Sequence, residues 1–352
     1  MSYDNQFSDY NLLNNELVEG LQDAFYVSES DSKNQNNNSL IPKSFSKINT
    51  TSVNVNLLTR DKISNTLLDK DIINKGEQLL KMEKKGSKDT VTTRLIVTID
   101  LDEITQTSKN ISINYRFSYF DKCVFDSICS LLSVGNQAIS LGMIARAMLG
   151  KKASYHPNEI LLAEINNSIN KLEKIKVYID MSDEIIHFSQ LQSKDIKRCI
   201  LESRFFEFKK LKTVLKNKEE IDVFIFSDEP ILLKYAKLRS QISSIANYLL
   251  DTPTQKTKNL LTVQSFLLQK INMLKLNKNL PQCILYSSIY NLFDEFKDEN
   301  LSLKTKESMR SRIRKAVTDI LDFWVKEKFI SNYEIERKNK SYYKINITCS
   351  AK

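Results

Sequence analysis

The hydrophobic periodicity of this chain spells out one plan twice, three helical segments followed by strands, and few folds accept that order. In the first copy, "YFDKCVFDSICSLLSVGN" sets Val124, Ile128 and Leu131 on one helical face and stops at a glycine suited to a helix end. Ser140 caps a second helix, Leu141 to Leu149, which Gly150 ends. Pro157 suits the first turn of a third, whose apolar stripe is Leu161, Leu162, Ile165, Ile169 and Leu172. "IKVYID" then alternates as a strand, and "FFEFKKLKTVLKNKEEIDVFIFS" reads as a long hairpin around a polar turn.

The segment "EPILLKYAKLRSQISSIANYLL" is expected to be helical from Pro230 and to link the copies. In the second copy the helices are "NLLTVQSFLLQKINMLK", "PQCILYSSIYNLFDEF" and "KESMRSRIRKAVTDILDFWVKEKFI", with strands "SNYEIE" and "SYYKINIT" around the turn "RKNK". Three helices and a hairpin describe a winged helix-turn-helix, whose third helix enters the major groove of DNA while the hairpin flanks it. The expected fold is therefore α+β, mainly helical, with two such units in tandem, 116–236 and 237–352.

Charge supports that assignment in the second copy. On a helical wheel Met309, Ile313, Val317, Ile320 and Trp324 share one face, so Trp324 is expected in the core. Lys304, Ser308, Ser311, Arg314 and Lys315 fall opposite, with Arg310 and Arg312 on the flanks. Between Leu301 and Ile345 stand twelve Lys or Arg against six Asp or Glu, an excess of six in a chain of net charge +9. Asp319, Asp322 and Glu327 occupy the later half of the helix, which leaves its first turns to meet phosphates. Arg337, Lys338 and Lys340 at the hairpin tip are placed to reach an adjacent groove or the backbone. In the first copy Asn166, Asn167, Asn170, Lys171 and Lys174 oppose the apolar stripe, and Asn and Lys suit adenine edges and phosphate.

Upstream, Leu13, Leu17, Leu21 and Phe25 recur at a spacing of four among Asp9, Glu16, Glu19 and Asp23, an acidic amphipathic helix. The polar run "SESDSKNQNNNSLIPKSFSKINTTS" has too few apolar residues to order itself, so 1–50 is read as this helix and a disordered linker. Residues 51–115 form an extension containing the strand "TVTTRLIVTI". Asp100, Asp102 and Glu103 at its end have the chemistry to hold a divalent metal, but with no second carboxylate motif to pair with them a solvated strand end is the expectation.

Several classes are disfavoured. His156 and His187 make no HxH pair for a DNA-nicking metal site, and "LGKK" lacks the glycines of a phosphate loop. The five cysteines form no CxxC. No run reaches the roughly 18 apolar residues of a membrane helix, and "MSYDNQFSDY" does not read as a signal peptide, so a cytoplasmic protein with no membrane partner, cofactor, metal or catalytic site is expected.

Finally, "YFDKCVFDSICSLLSVGN", "NNSINKL", "EPILLKYAKLRSQI" and "ILDFWVKEKFI" together resemble the replication-initiator proteins of plasmids and phages of low-GC Gram-positive bacteria, a group similar to the tandem winged-helix theta-type plasmid initiators. The resemblance spans Thr90 to Ile347 and implies binding to repeated double-stranded origin sequences, melting or bending of the origin, recruitment of host replication proteins and a switch between homodimer and monomer. It makes Asn167, Ser168 and Lys171 in the first unit, and Arg310, Arg312, Arg314 and Lys315 in the second, the helix-borne DNA contacts. A transcriptional regulator of the same fold and a non-catalytic protein-interaction scaffold remain alternatives.

Overall fold

A computed structural model of the chain describes residues 53–60, 62–68, 77–83, 90–99, 117–183, 198–214, 220–339 and 341–349. The amphipathic start, the Asn-rich linker, the acidic trio after Ile99, His187 and Lys340 lie outside them. The described residues are mixed helix and strand. They begin with β1 (Val55–Thr59), α1 (Lys62–Leu67), β2 (Glu77–Glu83) and β3 (Thr90–Ile99). Next come α2 (Tyr119–Ser133), β4 (Ala138–Ser140), α3 (Leu141–Leu149), α4 (Glu159–Glu173), β5 (Ile175–Asp180), β6 (Ile200–Arg204), β7 (Phe208–Val214) and β8 (Glu220–Phe226). After α5 (Ile231–Leu238) and β9 (Ile242–Ala246) follow α6 (Lys258–Leu276), β10 (Cys283–Leu285), α7 (Tyr286–Tyr290), α8 (Leu303–Lys326), β11 (Ile330–Lys338) and β12 (Ser341–Cys349).

The expected helix starts are visible as side-chain caps. Ser118 and Asp121 form a reciprocal capping box on α2, the Asp121 amide donating to Ser118 Oγ at 3.2 Å and the Ser118 amide to Asp121 Oδ2 at 2.7 Å. Ser140 accepts from the Met143 amide at 3.3 Å. Gly150 ends α3 at φ +65°, and a Cβ there would meet the Asn247 carbonyl oxygen at 2.2 Å, so no other residue fits without moving backbone. Asn158 rather than Pro157 opens α4, accepting from the Leu161 amide at 2.8 Å. Pro157 precedes the cap and donates nothing to the helix.

Two halves of the chain share one topology. α2, β4, α3 and α4 lead to the hairpin β7–β8, and β4 pairs with the hairpin's second strand to give the order β4-β8-β7. α6, β10, α7 and α8 lead to the hairpin β11–β12, and the order is again β10-β12-β11. The first half departs by insertion. β5 and β6 leave this pattern to join β2 and β3 in a separate antiparallel sheet of order β2-β3-β5-β6. "IKVYID", expected as a strand of the first unit, is indeed a strand but is claimed by β3 of this separate sheet, with Val97 opposite Val177.

Two further expectations are corrected. The linking helix stops at Leu238; Ser240 takes φ 51°, and "ISSIA" becomes β9, paired antiparallel with β1. Ile242 and Ile245 with two serines satisfy a strand as easily as a helix, and a partner far away in sequence decides between them. "PQCILYSSIYNLFDEF" divides into β10, the short α7 and a 3-10 turn at Asp294–Phe296, because Ile345 of β12 captures Ile284 as a strand partner.

Hydrophobic side chains collect in two clusters. One joins Leu95 and Val97 of β3 to α2, α3, α4 and β5; the other joins α6, α7, α8, β11 and β12. β1 serves both, since Leu57 packs on the first and Leu58 belongs to the second, while Val53, just before the strand, joins the first. A buried polar network secures the junction. The Lys122 amine, wholly buried, donates to both Asp126 oxygens at 2.8 Å and to the Thr59 carbonyl at 3.0 Å. Asp126 also accepts from Thr59 Oγ1 at 2.8 Å and from Gln269 of α6 at 3.2 Å. Burial pushes the Asp126 carboxyl above its ordinary pKa, opposed by Lys122 and Thr59. A charge pair this far from water holds only while each lone pair has a donor.

Candidate nucleic-acid interface

α8 begins where Ser302 accepts from the Thr305 amide at 3.1 Å, and its apolar stripe is half-buried at Met309 and buried beyond it, with Ile313, Val317, Ile320 and Trp324 at most 2% exposed. The Trp324 ring N–H donates to the Leu249 carbonyl at 2.9 Å, so its polar edge is satisfied inside the core. The helix stops in a Schellman turn. Lys328 takes φ 58°, the Phe329 amide reaches the Trp324 carbonyl at 2.8 Å, and the two rings lie 5.4 Å apart. That turn fixes the angle at which β11 leaves, and with it the position of the basic hairpin.

Along the outside of α8, Lys304, Ser308, Ser311, Arg312 and Lys315 are exposed. Among the described residues none carries an opposite charge within ion-pair distance of Lys304, Arg312 or Lys315. Arg310 and Arg314 behave differently. The Arg310 guanidinium lies over Phe296 at 5.4 Å and Tyr290 at 5.8 Å, and Arg314 lies 4.8 Å from the Tyr342 ring. Arg337, from the hairpin, covers the same ring at 4.5 Å and donates to the Tyr342 hydroxyl at 2.8 Å. Tyr342 in turn meets the buried Tyr286 edge-on at 5.2 Å. An aromatic floor thus connects helix and hairpin and holds three guanidinium groups in place.

One carboxylate enters this basic surface. Glu307 accepts from Arg314 and, at 3.5 Å, from Arg310, and hydrogen bonding from Arg314 holds its carboxyl below the ordinary pKa. The expectation that acids keep to the later half of the helix is therefore corrected, because one sits in the second turn among the arginines. At the hairpin tip Arg337 and Lys338 are exposed, and Lys338 lies over Tyr343 at 5.8 Å.

On its other flank α8 borders a cleft of about 880 Å³ in which Arg312 and Lys315 face the start of α4 and residues 254–260. Lys256 and Lys258 line the same cleft. Burial lowers the Lys256 amine to about 8, with Asp251 opposing and Lys151 adding to the effect. Lys258 pairs with Glu164 of α4 at 2.6 Å.

The first half offers less. On α4, Asn167 is exposed and Asn170 half-buried. Ser168 is 4% exposed and donates to Asp121 Oδ1 at 2.6 Å, so it is not a surface residue. Its place three after Ile165 and four before Leu172 puts it on the apolar stripe itself. Lys171 forms an ion pair with the same Asp121. Asp121 of the α2 capping box thereby fastens α4, and two of the three α4 contacts that the resemblance implies, Ser168 and Lys171, are tied to the protein itself.

Among the described residues no group of three His, Cys, Asp or Glu side chains converges as a metal site would, and no helix is long and apolar enough to cross a membrane. No protein-family model matches the chain, and no curated protein matches it in sequence. Crystal structures of domains 2 and 3 of RctB resemble it loosely. One is 12% identical, covering 79% of this chain and 92% of that chain at a TM-score of 0.35. A second is 10% identical, covering 78% and 92% at a TM-score of 0.35. A likeness of that degree assigns no role.

Proposed function

We propose that this protein binds double-stranded DNA in a sequence-specific manner and acts at repeated origin sites to start replication of a plasmid or phage, without catalysing a reaction itself. The observation that carries the reading is α8. A long helix exposes Lys304, Arg312 and Lys315, which have no ion partner among the described residues, beside arginines held on aromatic rings, and a basic hairpin stands next to it. Guanidinium groups fixed in this way lose little freedom on meeting phosphate, and their fork geometry fits its oxygens.

The helix order with a short strand between the first two helices, closed by a hairpin, supports reading each half as a winged helix-turn-helix. In that reading α8 enters the major groove, Arg337 and Lys338 touch the flanking backbone, and the cleft beside Arg312 and Lys315 continues the phosphate path. The first unit contributes fewer contacts, through Asn167 and Asn170. A cytoplasmic location, host replication proteins as partners and a homodimeric state belong to the same proposal.

The test is a salt-titrated binding assay of the full chain on duplex fragments from around its own gene, beside scrambled duplexes. Six to ten phosphate contacts weaken binding roughly 10³- to 10⁵-fold between 50 and 200 mM salt. Specific, salt-steep binding to repeated sequences is the expected result. Equal, salt-insensitive binding to both duplexes overturns the proposal.

A further inference from the structure

Glu307 is out of place on a phosphate-binding face. A carboxylate there repels the DNA backbone and cancels one of the cations around it. It is also held rather than loose. Its Oε1 accepts from Arg314 and its Oε2 from Arg310 at 3.5 Å, and both guanidinium groups rest on rings, Tyr342 for one and Phe296 with Tyr290 for the other. The side chain remains 56% exposed. Each carboxylate oxygen has two lone pairs and receives one donor here, so each keeps the capacity to accept another hydrogen bond.

Such an arrangement is a fixed hydrogen-bond acceptor in the second turn of α8, and the N-terminal turns of a helix lying in the major groove are the ones that meet base edges. Among the groups displayed there, acidic side chains accept from the amino group of cytosine. We propose that Glu307 reads one base of the duplex, accepting a hydrogen bond from the exocyclic amino group of a cytosine, with Arg310 and Arg314 as its positioning residues. The inference rests on the reading of α8 as the helix that enters DNA. A neutral Gln in its place lacks the charge that pairs with both arginines, and it accepts through one oxygen only.

The experiment selects binding sites from a pool of random-sequence duplexes with the full wild-type chain and with Glu307→Gln, after matched thermal melts show that the exposed substitution leaves the fold intact. Wild type is expected to enrich a motif containing a cytosine position, and the variant to enrich the same motif with that one preference weakened about tenfold. Non-specific affinity of the variant rises, because the surface gains net positive charge. An identical motif for both proteins overturns the base-reading role, including when the variant binds it more tightly, since Glu307 is then only an internal counter-ion. If wild type enriches no motif, the DNA reading itself falls, an outcome distinct from the first.

Discussion

α4 and α8 follow the same succession of helix, short strand and helix, yet they spend their polar residues differently. α4 turns Ser168 and Lys171 onto Asp121, whereas α8 leaves Lys304, Arg312 and Lys315 without an ion partner among the described residues. The same position in a fold thus supports a strut in one half and an open charged ridge in the other. Topology sets where a helix lies; only the partners of its side chains say whether it has anything left to bind with.

The contrast can be broken at its core first. Trp324→Ala removes the anchor of α8 and leaves the Leu249 carbonyl without its donor, a cost of about 3–5 kcal/mol read by urea denaturation. Loss of that size with little change in the first half's melting would show that the halves respond separately; a loss below about 1 kcal/mol would mean the helix is anchored elsewhere. Asp121→Ala is next. It removes the capping box and both α4 ties, so a destabilisation of about 1–3 kcal/mol is expected, with DNA affinity measured at a permissive temperature nearly unchanged.

The converse variant is Arg312→Ala with Lys315→Ala, both exposed. It should leave the melting temperature in place and lower the slope of log affinity against log salt by about two. If Asn167→Ala weakens DNA binding as much as that pair does, the distinction between strut and ridge fails. The smallest effect is electrostatic. Burial lowers the Lys256 amine to about 8, so it loses its proton at a lower pH than an ordinary lysine, and the cleft should lose positive charge as pH rises from 7 to 9. DNA affinity is expected to fall about twofold over that interval, and Lys256→Met should remove the dependence.

Much of this was legible in the sequence because it is local. The α3 boundaries, Ser140 to Gly150, follow from a capping side chain and a glycine at positive φ, and the burial of Trp324 follows from a regular apolar stripe. What escaped depended on distant partners. β9 resembles the end of a helix until β1 is set beside it, and β5 belongs to a sheet whose other strands lie partly far upstream. At the site, the exposed cations are readable from charge and helical phase, whereas Ser168 is buried against the expectation, although its spacing from Ile165 and Leu172 carries the signal. The role of Glu307 is hidden in sequence because a count of charges does not show which arginines an acid can reach. The rings of Phe296, Tyr290 and Tyr342 come from three separate segments and meet α8 only in the folded chain.

The pairing of β1 with β9 also imposes an order in time. Val55 finds Ala246 only after roughly 190 further residues have been made, which at ribosomal speed takes on the order of 10 to 40 s. Through that interval the backbone groups of β1 lack their ladder partners, and Lys122 and Asp126 lack the Gln269 of α6 that completes their network. The strand nearest the start of the described chain is therefore among the last to be secured. A nascent chain halted before β9 leaves a free strand edge, open to mispairing, and holding it harmless until residues 242–246 emerge is a task for whatever attends the chain during synthesis.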